Sequence, residues 1–152
     1  MRQVLITGAA GAIGNTLRAG LRGVYPLLRL ADIRPLAAPA THEECVTADL
    51  CDFAAVASMM DGVDCVVHLG GVPREGPWEA ILEHNIVGTY NVFEAARQCG
   101  VKRVVYASSN HVIGYYRAEH VDMDFLRWLY TAFTRATDSL YLVNFPETMM
   151  EI

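Results

Sequence analysis

Short, continuous apolar runs alternate along the chain with stretches of helical spacing, and that alternation predicts the elements. Val4-Leu5-Ile6-Thr7 reads as a buried strand, Ile13 to Leu21 as a helix and Leu27 to Asp32 as a second strand. Arg34 to His42 carries Pro35, Pro39 and several alanines and reads as a loop. Glu44 to Ala48 predicts a short third strand. Asp52 is placed to cap a helix running from Phe53 to about Met60, and Asp61-Gly62 to stop it. Cys65 to Leu69 predicts a fourth strand. Trp78 to Cys99 predicts one long helix closed by Gly100, and Arg103 to Ser108 a fifth strand. Beyond these, Met123 to Ala136 has helical spacing and Leu140 to Val143 reads as a strand, expected to dock beside the fifth.

Strands that are apolar throughout need cover on both faces, which is the environment of a parallel sheet with helices on each side. Right-handed crossovers then make an α/β, doubly wound sheet of Rossmann type the expected fold. Residues 1–116 form the expected main domain. Residues 117–152 form a tail whose helix and strand complete the sheet. The long helix carries Ile86, Val92 and Phe93, which serve either as core or as the interface of a homo-oligomer.

Composition narrows the function classes. The 152 residues are 53% hydrophobic and 19% charged, enough to build one packed domain and to exclude a disordered chain. Net charge is −5 with a single lysine, Lys102, and no basic run, which argues against nucleic acid and against an anionic membrane surface as partners. The N-terminal apolar run is too short for a signal h-region or a span, so a soluble, cytoplasmic protein is expected. Cys45, Cys51, Cys65 and Cys99 form no Cys-x-x-Cys pair. They read as reduced thiols, and no metal site is expected from their spacing.

The candidate chemistry starts at residue 7. Thr7-Gly8-Ala9-Ala10-Gly11-Ala12-Ile13-Gly14 lies between the first strand and the first helix with the spacing Gly-x-x-Gly-x-x-Gly. Glycine there permits positive φ, close approach of backbone to a pyrophosphate and tight helix–strand packing. The helix N–H groups and dipole then face the negative charge. Gly8, Ala10, Gly11, Ala12, Ile13 and Gly14 are therefore candidates for binding a dinucleotide. Asp32, at the end of the second strand, is suited to accept from both ribose hydroxyls and to repel a 2′-phosphate, which favours NAD over NADP. Arg34, two residues on, works against that preference. Asp49 and Leu50 follow the third strand, where they reach the adenine edge or form a turn. His68-Leu69-Gly70-Gly71 closes the fourth strand. Leu69, Gly70 and Gly71 border the ligand, while His68 reads as a packed, hydrogen-bonded residue rather than a catalyst.

Together with Asn85-x-x-Gly88-Thr89-x-Asn91, these motifs resemble the extended short-chain dehydrogenase/reductases, the NAD-dependent epimerase/dehydratase group. Within it, Ala107-Ser108-Ser109-Asn110-His111-Val112-Ile113-Gly114-Tyr115-Tyr116, Leu30-Ala31-Asp32 and Asn85-Ile86-Val87-Gly88 are most similar to NAD-dependent uronate dehydrogenases. The resemblance covers residues 1–116. It implies a uronate-like small-molecule substrate, oxidised at C1 to an aldarolactone with hydride passing to NAD. It further implies that Ser109 hydrogen-bonds the reacting hydroxyl, that Asn110 and His111 hold substrate hydroxyl or carboxylate groups, and that Ser108 and Asn85 belong to the cofactor side.

Two departures from the family pattern stand out. Pro73 occupies the place where the family offers a serine to the substrate, and proline has neither hydroxyl nor N–H. The family's base is a tyrosine followed four residues later by a lysine that lowers its pKa, and no lysine follows Lys102. Tyr116 is followed at that spacing by His120, and Tyr130 by Thr134. A chain truncated with respect to a substrate domain and catalytically incomplete is therefore expected, with a non-catalytic dinucleotide-binding module as the alternative. Trp128 to Val143, with Thr134-Arg135-Ala136, resembles the last motif of superfamily 1 helicases, so a fragment or chimera with a helicase-derived tail is a further reading. The chain has no Walker-type phosphate loop to go with it.

Overall fold

The computed structural model describes residues 1–108. The predicted Met123–Ala136 helix and Leu140–Val143 strand, and the docking of that strand, lie outside the described residues. Five parallel strands form one sheet in the order β3-β2-β1-β4-β5: β1 Gln3–Thr7, β2 Leu27–Asp32, β3 Glu43–Thr47, β4 Cys65–His68 and β5 Arg103–Tyr106. Each lies within a residue or two of its predicted place. The order reverses direction between β1 and β4, which opens a crevice at their carboxyl ends.

Alternate residues of β1 face opposite layers. Leu5 joins Ala31 and Val66 in a core against α2 (Phe53–Met59) and the later helix, with Val56, Met59, Met60, Val92, Ala95 and Ala96. Val4 and Ile6 join Leu28, Leu30 and Cys65 beneath α1 (Ala12–Gly20), with Leu17, Leu21 and Tyr25 packed on them. Both faces are covered, which is why the strands could be apolar throughout. As expected, Asp52 caps α2: its carboxylate accepts from Ala54 N and Ala55 N at 2.9 and 3.2 Å.

The long helix is the main departure from expectation. It starts as α3 (Trp78–Ile81), passes through a π-helical stretch at Leu82–Val87 and continues as α4 (Gly88–Gln98). The wider turn shifts the register of the inward face. Within it, Asn85 reaches the chain after β4; after it, Gly88, Asn91, Val92, Ala95 and Ala96 are buried. Packing also settles the three apolar residues of that helix: Val92 is core, whereas Ile86 and Phe93 are exposed.

A buried ion pair ties the loop before β3 to α1. Arg18 donates to Glu43 at 2.6 Å and to the carbonyls of Ala37 and Ala38. Ala40 N also donates to Glu43.

Candidate functional site

The crevice is a cleft of about 680 Å³ at the carboxyl ends of β1, β2 and β4, a volume in the range of small-molecule sites. Its floor is the glycine turn. Gly8 has φ +70°, and a Cβ there would lie 2.7 Å from Gly70 N and Leu69 C. A Cβ on Gly14 would lie 2.5 Å from Gly8 O, so helix and strand meet backbone to backbone. Gly11 N donates to Gly8 O at 3.0 Å and closes the turn. Gly11 is the N-cap of α1 and offers no side-chain acceptor, in contrast to the Asp52 cap of α2. The first-turn N–H groups of α1 therefore carry no acidic cap within the described residues and lie at the edge of the cleft, an arrangement suited to an anion.

Asp32 stands beside this turn with its side chain 5% exposed. Its Oδ2 accepts from Ala10 N at 2.9 Å, and its Oδ1 accepts from Arg34 N at 2.9 Å and Arg34 Nε at 3.3 Å. Burial works against the charge, but the Arg34 and Ala10 N–H groups and the Arg34 guanidinium outweigh it and hold the pKa below the usual carboxylate value. Asp32 is thus an ionised acceptor that also fixes the turn.

On the opposite wall, Asp49 forms a local turn, accepting from Cys51 N at 2.9 Å. That bond, opposed by burial, lowers its pKa. Burial and the neighbouring Asp49 push the Cys51 thiol up to about 11. Leu50 packs under the ends of two glycines: a Cβ on Gly70 would meet Leu50 Cδ1 at 2.7 Å, and one on Gly88 would meet Leu50 Cβ at 3.0 Å. His68 is fully buried. It bonds Thr7 Oγ1 at 2.7 Å through Nδ1 and Thr89 Oγ1 at 3.2 Å through Nε2, and it stacks on Tyr106. Burial lowers its pKa to about 4, so it is a neutral structural histidine near pH 7, as its sequence position suggested.

Of the sequence-selected residues, Gly8, Gly11, Ala12, Ile13, Gly14, Asp32, Asp49, Leu50, Leu69, Gly70 and Gly71 line the cleft together. Ala10 and Asn85, both half-buried, are not among the lining residues and brace the cleft through hydrogen bonds. Ala10 N is committed to Asp32, and the Asn85 amide brackets the Val72 backbone, accepting from its N at 2.7 Å and donating to its O at 3.1 Å. Ser108 ends the described segment, with its N–H on Tyr106 O. Ser109, Asn110 and His111 lie outside the described residues. The sequence reading did not select Ala31, Ile33, Ala48, Val72, Arg74, His84 and Ala107 as site residues, and all of them line the cleft. Five of these adjoin strand carboxyl ends or the glycine pair. That position was the available signal; His84 had none, because the π-helical turn brings it in.

The family model described as NAD dependent epimerase/dehydratase family matches residues 4–134. Uronate dehydrogenase of Pseudomonas putida is 52% identical over 118 residues, 77% of this chain and 44% of that protein. NAD-dependent glucose-6-phosphate dehydrogenase of Haloferax volcanii is 39% identical over 130 residues, 82% of this chain and 49% of that protein. A crystal structure of uronate dehydrogenase from Agrobacterium tumefaciens, a mutant complexed with NAD, superposes with a TM-score of 0.74 at 52% identity, covering 76% of this chain and 44% of that one. The chain spans about half the length of these relatives or less. A family match over most of its residues, on a parallel sheet with the glycine turn at its switch point, places the chain in the NAD-dependent epimerase/dehydratase family.

Proposed function

We propose that this chain is the cofactor-binding portion of an NAD-dependent oxidoreductase of the uronate dehydrogenase type. The observation that carries the reading is the cleft that joins an uncapped helix N-terminus and a glycine turn to an ionised carboxylate at the end of β2. The residues present fit a dinucleotide. The turn presents glycines where a pyrophosphate would approach, and Asp32 Oδ2 retains a lone pair for a ribose hydroxyl beyond the one used by Ala10, while Oδ1 is taken by Arg34 N and Nε. Asp32 also repels a 2′-phosphate, which selects NAD. Asp49 and Leu50 flank the adenine, and Gly70 and Gly71 let the dinucleotide pass close to the backbone. When bound, NAD supplies the hydride acceptor for oxidation at C1 of a uronic acid to an aldarolactone.

In this proposal Ser109 hydrogen-bonds the reacting hydroxyl and Asn110 and His111 hold the sugar acid. Asn85, through Val72, sets the loop that carries Pro73, where the family's serine would stand. The 152 residues contain one lysine, Lys102, so no tyrosine has the lysine partner of the family's base. General acid–base assistance contributes about 10²–10⁴-fold to rate. We therefore expect these residues alone to bind NAD with little or no turnover, the behaviour of a dinucleotide-binding module. Calorimetry with NAD, followed by NADH detection with galacturonate or glucuronate, tests both parts. No NAD binding overturns the proposal, and rapid NADH formation overturns the missing-base argument.

A cytoplasmic setting and a homo-oligomer, using the exposed Ile86 and Phe93 side of the helix, belong to the same proposal. The exposure of those two residues supports the oligomer. Among the described residues no helix is long and apolar enough to cross a membrane.

A further inference from the structure

Three residues from two segments distant in the chain meet at one wall of the cleft. Asp49 and Cys51 lie in the connection between β3 and α2, and His84 comes from the π-helical stretch. One carboxylate oxygen, the thiol sulfur and one imidazole nitrogen all lie within 4.8 Å of one another. We propose that Asp49, Cys51 and His84 form a binding site for a thiophilic divalent cation of the zinc class, with its fourth coordination position open to the cleft.

The donor set selects the ion class. One sulfur, one imidazole and one carboxylate suit zinc and its neighbours, whereas calcium and magnesium require oxygen ligands. The positions are held before any ion arrives. Asp49 Oδ1 is engaged by Cys51 N, which leaves Oδ2 for an ion. The intervening backbone is pinned by the buried Asn91, whose Nδ2 donates to Leu50 O at 2.8 Å and Cys51 O at 3.3 Å. His84 Nδ1 lies 3.0 Å from Ala80 O. A carbonyl only accepts, so Nδ1 carries the proton and Nε2 of the neutral ring carries the lone pair. A backbone carbonyl on the second ring nitrogen is the usual support of a metal-bound histidine. Tetrahedral bonds of about 2.0–2.3 Å require ligand atoms about 3.3–3.8 Å apart, so closure needs side-chain movements of about 1 Å. Binding exchanges the thiol proton for the metal: the proton leaves to solvent, and the sulfur gives up its contact with Glu83 O. Asp49 and His84 both line the cleft, so an ion there would stand at the end assigned to adenine. That consequence, competition with NAD, rests on the proposed function; the ion site itself does not.

Cobalt(II) is titrated into the full, reduced chain without NAD, and the thiolate-to-cobalt charge-transfer absorption is followed. The expected result is a saturable band that zinc bleaches and magnesium does not. Cys51→Ser should abolish the band, and His84→Gln should weaken binding at least about tenfold, while Cys45→Ser and Cys99→Ser leave it unchanged. Circular dichroism checks that each variant folds, and His84→Gln carries the test if Cys51→Ser does not fold. Absence of the band, or an undiminished band in the folded Cys51→Ser or His84→Gln chain, overturns the proposal. A chain that binds cobalt in this way but not NAD would refute the cofactor reading and leave the ion site standing.

Discussion

Asp32 has two duties that substitution can separate. In Asp32→Ala the cleft loses the ionised acceptor for the ribose, and Ala10 N and Arg34 N lose theirs as well. Loss of a hydrogen-bond partner of this kind costs about 1–3 kcal/mol, which corresponds to an NAD affinity roughly 5- to 150-fold weaker. The turn itself is loosened by the unpaired N–H groups, by about 1 kcal/mol for each one that water does not reach. Asp32→Asn keeps an acceptor oxygen for Ala10 N but removes the charge and turns an amide NH2 toward Arg34 N. It should retain more of the stability than Asp32→Ala while still losing NAD affinity. Arg34, whose side chain is 61% exposed, is released from its pair in Asp32→Ala and becomes free to meet a 2′-phosphate. The ratio of NADP to NAD affinity should therefore rise. The assay is calorimetric titration of both dinucleotides into wild type and both variants, with thermal unfolding measured alongside. An unchanged NAD affinity together with a lowered melting temperature would show that Asp32 only braces the turn.

Other substitutions probe the frame around the cleft. Gly8→Ala should destabilise the chain by more than the roughly 1–2 kcal/mol of a left-handed alanine, because its Cβ also meets Gly70 and Leu69 backbone at 2.7 Å; denaturant titration measures this, and an unchanged midpoint refutes it. Glu43→Gln leaves Arg18 charged and buried without its partner and should cost about 3–5 kcal/mol in the same assay, while a loss below 1 kcal/mol would mean that water relieves the pair. Hydrogen bonding from Arg18, with help from Ala40 N, holds the Glu43 pKa at about 2 against 4.5 in the unfolded chain, so its stabilisation is full above the unfolded value and is lost as pH falls toward 2. Burial lowers the His68 pKa to about 4 from 6.5, so the native state binds fewer protons. Stability should decline as pH falls from 6.5 to 4, by up to about 3 kcal/mol, and a folded His68→Asn chain should lack that slope.

Much of the frame was legible because it is written in local patterns. Continuous apolar runs marked all five strands to within two residues, since a strand buried on both faces admits few polar side chains. Asp52 could be read as a cap from its place before Phe53, and the glycine turn from its place between strand and helix. Asp32 was legible as a carboxylate at a strand end, but its bonds to Ala10 and Arg34 were not.

The sequence by itself determined which segments form strands and helices, where the phosphate-sized gap in side chains lies, and which carboxylate ends β2. Each depends on residues near one another in the chain, through periodicity, capping and φ. Only the tertiary structure decided the strand order, the split of Val92 from Ile86 and Phe93, the pairing of Arg18 with Glu43, and the meeting of Asp49, Cys51 and His84. Those depend on how crossovers bring distant segments together and on one π-helical turn. That turn holds Asn85 on Val72 and precedes Gly88 against Leu50, contacts that no spacing along the chain announces.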